Sequence, residues 1–199
     1  GITGTNGKTT TTYLVEGIME RAGMPPAVLG TISYRFGETS IPAPNTTPES
    51  VDLQRILREL VDQGAKGAVM EVSSHSLEQR RADGCIFDVA IFTNLTRDHL
   101  DYHLDMESYY QSKLRLFTDL LTPNVHKPLR RAVVNLDDPY GARIAADSAA
   151  PVLTYAVNGP ADLSVAEVNF SVHGIRCRLN SPVGEININS DLLGRFNLY

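Results

Sequence analysis

A chain of 199 residues, 42% hydrophobic and 21% charged, is long enough to bury one sizeable core and has the balance of a soluble globular protein. With 18 basic against 23 acidic side chains, the net charge of −5 argues against nucleic acid or an anionic membrane as the main partner, so any affinity for phosphate must be local. The two cysteines, Cys85 and Cys177, lie far apart without metal-ligand spacing and read as reduced thiols of a cytoplasmic protein, and no apolar run approaches the ~20 residues of a membrane span.

Only Gly1-Ile2-Thr3 stands where a buried strand would normally precede the glycine-rich run Gly4-Thr5-Asn6-Gly7-Lys8-Thr9-Thr10. At the other end, Gly194-Arg195-Phe196-Asn197-Leu198-Tyr199 reads as the opening of a helix. Both ends read as cuts, and the chain as the middle piece of a longer protein. The first helix is expected from Lys8 to Ala22, with Leu14, Val15, Ile18, Met19 and Ala22 on one face and Gly23 as its stop. A strand follows over Ala27 to Thr31, then a proline-rich loop at Ile41-Pro42-Ala43-Pro44. Thr47-Pro48 supplies a helix cap and a first-turn proline, Leu53, Ile56, Leu57, Leu60 and Val61 recur at helical spacing, and Gly64 ends that helix. Gly67 to Val72 and Ile86 to Phe92 are apolar runs suited to buried parallel strands. A third helix covers about Met106 to Leu121, and Ala132 to Asn135 is another strand. From Leu163 the texture changes: 163–165, 170–172, 175–179 and 185–188 alternate apolar and polar between Gly, Asn and Pro. The expected fold is α/β, a three-layer sandwich with a mostly parallel sheet and a phosphate-binding loop, plus a small antiparallel section near the C-terminus.

The glycine-rich run lets backbone N–H groups close around phosphate oxygens, the helix N-terminus adds positive potential, Lys8 neutralises the outer phosphates and Thr9 would hold magnesium. Ile2 stands where the strict phosphate-loop pattern has its first glycine, leaving the shorter Gly4-x-x-Gly7-Lys8-Thr9 core; a plain glycine-rich helix start would need neither Lys8 nor the threonines. In the third helix Lys113 falls inside the stripe of Met106, Tyr109, Tyr110, Leu114, Phe117, Leu120 and Leu121. A lysine there either snorkels at the edge or is buried for a purpose. Ligands of open α/β sheets bind beyond the carboxyl ends of the strands, so Glu71, Asn94 and His99 should gather beside the loop. Glu71 is a natural magnesium ligand and His99 an unusual one. His75 and His103 read as hydrogen-bonded loop histidines.

Four motifs in order, Gly4 to Thr10, Asn45-Thr46-Thr47-Pro48, Glu71-Val72-Ser73-Ser74-His75-Ser76-Leu77 and Asn94-Leu95-Thr96-Arg97-Asp98-His99-Leu100-Asp101-Tyr102-His103, resemble the Mur ligases. The likeness is to the central ATPase domain, over residues 1–199, of the type that adds the third amino acid of the peptidoglycan stem peptide. It implies flanking UDP-binding and amino-acid-binding domains that are not in this chain. The implied activity is ATP-dependent, ADP-forming amide synthesis on UDP-N-acetylmuramoyl-L-alanyl-D-glutamate, through an acyl phosphate, by a cytoplasmic monomer. By the same resemblance Gly4, Thr5, Asn6, Gly7, Lys8, Thr9, Thr10, Asn94 and Asn197 bind ATP, with Asn197 near the adenine. Thr9, Glu71, His99 and Lys113 serve magnesium, His99 at a second ion, and Lys8, Glu71, His99 and Lys113 form the catalytic set. Lys113 matches a lysine carbamylated by CO₂, an adduct that turns a buried cation into a carboxylate-like anion. Asn45, Thr46, Thr47, Ser73, Gln79 and Arg81 would surround the UDP-sugar peptide. Leu104 departs from the glycine usual after His103. Whether diaminopimelate or lysine is added is left open. Two other readings stand beside this one: a folylpolyglutamate synthetase-like ligase and a non-catalytic ATP-binding domain.

Overall fold

The computed structural model describes residues 1–99 and 101–199; Leu100, quoted above within the Asn94–His103 motif, lies outside the described residues. The elements run β1 (Ile2–Thr3), α1 (Lys8–Arg21), β2 (Pro26–Leu29), β3 (Ser33–Phe36), β4 (Thr39–Pro42), α2 (Ser50–Asp62), β5 (Gly67–Met70), α3 (Ser74–Glu78) and β6 (Val89–Phe92). They continue with α4 (Met106–Thr118), β7 (Arg131–Asn135), α5 (Gly141–Asp147), β8 (Val152–Ala156), β9 (Leu163–Ser171), β10 (Gly174–Ser181), β11 (Gly184–Ser190) and a 3₁₀ turn at Arg195–Leu198.

One sheet has the order β1-β6-β7-β8-β9-β10-β11 and a second β4-β3-β2-β5. A single parallel bridge between Ile2 and Glu71, with the Val72 N–H donating to the Ile2 carbonyl at 2.8 Å, joins them across β1 and the end of β5. In the first sheet β1, β6, β7, β8 and β9 pair in parallel, and β9, β10 and β11 form an antiparallel wing; in the second β2 and β5 are parallel, with β3 and β4 added antiparallel. This is the expected α/β architecture with its mostly parallel sheet and late antiparallel section. Among the described residues no helix is long and apolar enough to cross a membrane.

The core includes Tyr109, Tyr110, Leu116, Phe117 and Leu121 from α4 and the residues just after it, all fully buried, and Leu53, Ile56 and Leu60 of α2. Several local expectations change. In α1 the expected apolar stripe is split: Leu14, Ile18 and Ala22 are exposed, Val15 and Met19 are half-buried with Met19 packed at Gly67 of β5, and Thr12 is the fully buried residue. Ile41-Pro42 lies in an edge strand, where a missing N–H costs nothing, instead of a loop. Glu49, not Thr47, occupies the N-cap of α2, since the Thr47 hydroxyl is engaged elsewhere. Residues 86–88 precede β6, and α4 ends at Thr118 with Leu120 and Leu121 still buried beyond it. Residues 163–172, read as two segments, form essentially one strand. α3, α5 and β8 lacked a periodic signal long enough to mark them.

Candidate active site

The loop that follows β1 is held by the strand beside it. The Thr5 N–H donates to the Asn94 carbonyl (2.8 Å), the Asn6 N–H to Asn94 Oδ1 (2.9 Å), and Thr93 Oγ1 and Asn94 Nδ2 donate to the Asn6 carbonyl at 2.7 and 3.2 Å. Asn6 Nδ2 adds a bond to Thr96 Oγ1 at 3.3 Å. Gly4 is required by this close approach: with φ at 149°, a Cβ there would lie 1.9 Å from Thr93 Oγ1. Gly7 is required by backbone shape, since it caps α1 at φ 85° and no side chain caps the helix. The first N–H groups of α1, around Lys8, Thr9 and Thr10, have no intrahelical acceptor and carry the positive end of the helix dipole. Such an arrangement of backbone is suited to an anion.

Two lysines point into the loop. Lys8 Nζ donates to the Gly4 and Thr5 carbonyls at 2.9 Å each, and Lys113 Nζ donates to the same Gly4 carbonyl at 3.1 Å. Lys113 is 2% exposed, so the stripe position is a buried one and not a snorkelling edge. Burial pushes its pKa well below the ordinary lysine value, and the Lys8 charge pushes the same way against Asp98. Burial also lowers Lys8, opposed by Glu71 and Asp98. Lys113 Nζ lies 4.5 Å from the centre of the Tyr109 ring.

Across the loop, Glu71 is 1% exposed at the end of β5. Its Oε1 accepts from Thr9 Oγ1 at 2.8 Å and from the Thr31 N–H at 3.1 Å, and its Oε2 accepts from Thr31 Oγ1 at 3.1 Å. Among the described residues no basic side chain forms an ion pair with it. A buried carboxylate beside a threonine hydroxyl is a pair of hard oxygen donors, and it fits magnesium. Among the described residues no group of three His, Cys, Asp or Glu side chains is spaced to hold a metal. His99 is not in that pair. It adopts φ 52°, lies half exposed 3.5 Å from Asp98, and meets the rings of His75 and Tyr109 at 5.1 and 6.1 Å.

Of the residues expected around a sugar peptide, Thr47 and Ser73 are engaged within the fold. The buried Thr47 hydroxyl donates to the Glu71 carbonyl (2.9 Å) and accepts the Ser73 N–H (3.2 Å), while Ser73 caps α3 by accepting from the Ser76 N–H at 3.1 Å. Thr46 Oγ1 meets Thr31 Oγ1 at 3.1 Å. Asn45 is exposed beside a cavity of about 200 Å³ that Tyr34 and Asp52 also line. Arg81 donates to the Gln79 side chain and the Thr47 carbonyl and pairs with Glu49 at 3.0 Å, while Gln79 donates to Tyr102 at 3.1 Å. Asn197 lies in the 3₁₀ turn, donating to the Leu193 carbonyl at 2.8 Å; in the same turn Arg195 reaches Asn158 at 2.6 Å. His103 is a buried, bonded histidine as expected, with Nε2 2.8 Å from Ser74 Oγ and Nδ1 3.2 Å from Glu78. His75 instead lies in α3, against Tyr102 at 4.0 Å and His103 at 5.5 Å. Leu104 is exposed.

Sequence reasoning missed Thr31, which holds Glu71, and Thr93, which holds the loop. It also missed Asp138, whose Oδ2 accepts the Leu95 N–H at 2.8 Å and so fixes the exit of β6. All three follow strand ends at the edge already marked by Glu71, which was the available signal.

Residues 2–199 match the Mur ligase middle domain family. The UDP-N-acetylmuramoyl-L-alanyl-D-glutamate–2,6-diaminopimelate ligase of Geobacter metallireducens is 67% identical over all 199 residues, which cover 39% of that protein. A solved structure of a ligase of that name superposes with a TM-score of 0.88 at 35% identity, over 99% of this chain and 40% of the other. E. coli FolC in complex with ADP, at TM-score 0.66 and 17% identity over 98% of this chain and 50% of its own, shares the fold alone. The chain spans about two fifths of the length of the diaminopimelate ligases it matches. By this match over nearly its whole length, the chain belongs to the Mur ligase family, whose middle domain it corresponds to.

Proposed function

We propose that this domain works within a cytoplasmic, monomeric ligase that joins diaminopimelate to UDP-N-acetylmuramoyl-L-alanyl-D-glutamate, using ATP and magnesium, in peptidoglycan synthesis. The observation that carries the reading is the convergence of Lys8 and Lys113 on the Gly4 carbonyl, opposite the buried Thr9–Glu71 pair. Such a site neutralises and orients phosphates and offers no side-chain nucleophile, which suits phosphoryl transfer to a substrate carboxylate. The amine then displaces phosphate from the acyl phosphate. Relatives named for the diaminopimelate reaction support that choice over lysine.

In this reading the loop amides, Lys8, Thr10 and Asn94 bind ATP, with Asn197 beside the adenine. Thr9 and Glu71 would hold one magnesium ion and His99 a second; when bound, magnesium supplies charge neutralisation along the triphosphate. Lys113 carries a carbamate, which its burial and lowered pKa favour because only the neutral amine adds CO₂. Asn45, Thr46, Gln79 and Arg81 face the UDP-sugar peptide, with Thr47 and Ser73 serving that site by holding the backbone at Glu71 and α3 behind them, and diaminopimelate is bound mainly by a separate C-terminal domain.

The test is ADP release by the full-length ligase with the UDP-muramoyl dipeptide, offering diaminopimelate, lysine or, with a folate, glutamate. Release only with the dipeptide and diaminopimelate supports the proposal. Release with folate and glutamate favours the synthetase-like alternative, and ATP binding without release under any condition favours a non-catalytic domain.

A further inference from the structure

We propose that Tyr109 is a positioning residue that clamps the phosphate loop to Lys113, its hydroxyl holding the loop and its ring face packing on Lys113 Nζ; the inference rests on reading the loop as a nucleotide site. Tyr109 and Lys113 lie four residues apart on α4, the spacing that stacks two side chains on one helix face. The ring lies 4.5 Å from Lys113 Nζ, and the phenol oxygen lies 3.2 Å from Thr5 Oγ1.

The Thr5 hydroxyl is thereby saturated. It lies 3.3 Å from the Thr96 carbonyl, to which it donates, and it accepts the Thr96 N–H at 3.0 Å. With one hydrogen and two acceptor positions, its remaining bond is to the Tyr109 O–H. The Gly4 and Thr5 carbonyls that this arrangement holds still are the acceptors for Lys8 and Lys113. One side chain therefore touches both partners of the lysine–loop contact.

Tyr109 has little freedom to turn away. It is fully buried, and His103 stacks on it at 4.9 Å and 29°. His103 is fixed in turn through Ser74 and Glu78 of α3. Tyr110, equally buried one residue later, stacks instead on Tyr140 at 5.3 Å and has no part in the clamp.

The test is calorimetric titration of this chain with ADP and magnesium for Tyr109→Phe, Thr5→Val, the double variant and Tyr110→Phe. Losing the shared hydrogen bond should weaken ADP about five-fold in Tyr109→Phe; Thr5→Val, which also gives up both bonds to Thr96, should weaken it at least as much, and the double should be no weaker than Thr5→Val alone. Tyr110→Phe should match the parent. Additive losses, or an equal loss in Tyr110→Phe, would overturn the clamp. For the ring, turnover of the full-length ligase should stay within about two-fold in Tyr109→Phe, which keeps the ring, and fall about thirty-fold in Tyr109→Leu. Equal turnover in the two would overturn the ring's part. If Tyr109→Leu does not fold, the Phe and Val cycle still decides. A parent chain that binds no ADP would instead defeat the nucleotide reading, and the clamp with it.

Discussion

The carboxyl edge of the parallel strands and the antiparallel wing of β9, β10 and β11 are both lined with polar side chains, under opposite conditions. At the edge, Glu71 and Lys113 are 1% and 2% exposed, and their bonds are to loop backbone, threonines and an aromatic face. In the wing, Arg178 lies 2.7 Å from Glu167 and 3.7 Å from Glu185, with side chains 38%, 73% and 61% exposed. The wing nevertheless borders the larger hollow, about 880 Å³ against about 200 Å³ beside Asn45. Volume is a poor guide to chemistry in this molecule. Burying a charge costs several kcal/mol unless its surroundings compensate, whereas an exposed ion pair contributes about 0–1 kcal/mol. The edge holds groups that the fold must work to keep there.

Removing such a group should have the largest effect. Lys113→Ala in the full-length ligase is expected to lower turnover about a thousand-fold, the scale of losing a transition-state contact. Nucleotide affinity should change little, because Lys8 still holds the Gly4 and Thr5 carbonyls. Initial rates and ADP titration separate the two effects, and unchanged turnover would remove Lys113 from the chemistry.

Gly4→Ala attacks the loop's seat instead. A Cβ 1.9 Å from Thr93 Oγ1, on a backbone at φ 149°, forces the loop off β6. A loss of about 2–4 kcal/mol is expected, lowering the thermal midpoint and abolishing the ADP-dependent rise in it. Gly17→Ala, at a helical glycine with open space around it, should be neutral or slightly stabilising in the same melt.

Where signals were local, the sequence was readable. Gly4-x-x-Gly7-Lys8-Thr9 marks loop and helix start within six residues, and Lys113 stands out because helical spacing names its neighbours as apolar. The partners that complete the site act across distance: Thr31 meets Glu71 over 40 residues, and Thr96 meets Thr5 over 91. A threonine after a strand has no period to betray it. Propensity also misled: Thr47-Pro48 has the composition of a helix cap, but the Thr47 hydroxyl holds Glu71 and Ser73 together across two segments. The outward turn of Leu14 and Ile18 on α1 was hidden for the converse reason, since periodicity defines a stripe without saying which way it faces.

Arg81 tests the boundary between edge and surface. Its fork holds the Gln79 side chain, the Thr47 carbonyl and Glu49, and only 15% of the side chain is exposed. Arg81→Ala is expected to raise the KM for the UDP-muramoyl dipeptide about ten-fold, the worth of one charge-assisted contact, with ATP affinity within two-fold. An equal loss for both substrates would mean that Arg81 serves the fold through Thr47 and not the sugar peptide.

The wing should give the smallest response, and that makes it the control for the whole comparison. Arg178→Ala deletes both of its ion pairs, yet each is open to solvent and screened by salt. The expected stability change is within about 1 kcal/mol, and turnover, dipeptide KM and ADP affinity should match the parent. Arg178 also lies on β10, between two exposed neighbouring strands and beyond the parallel strands that carry the loop contacts. A change in dipeptide KM without a change in thermal midpoint would bring the wing into the substrate site, and the contrast between forced burial and open polarity would no longer separate working residues from idle ones.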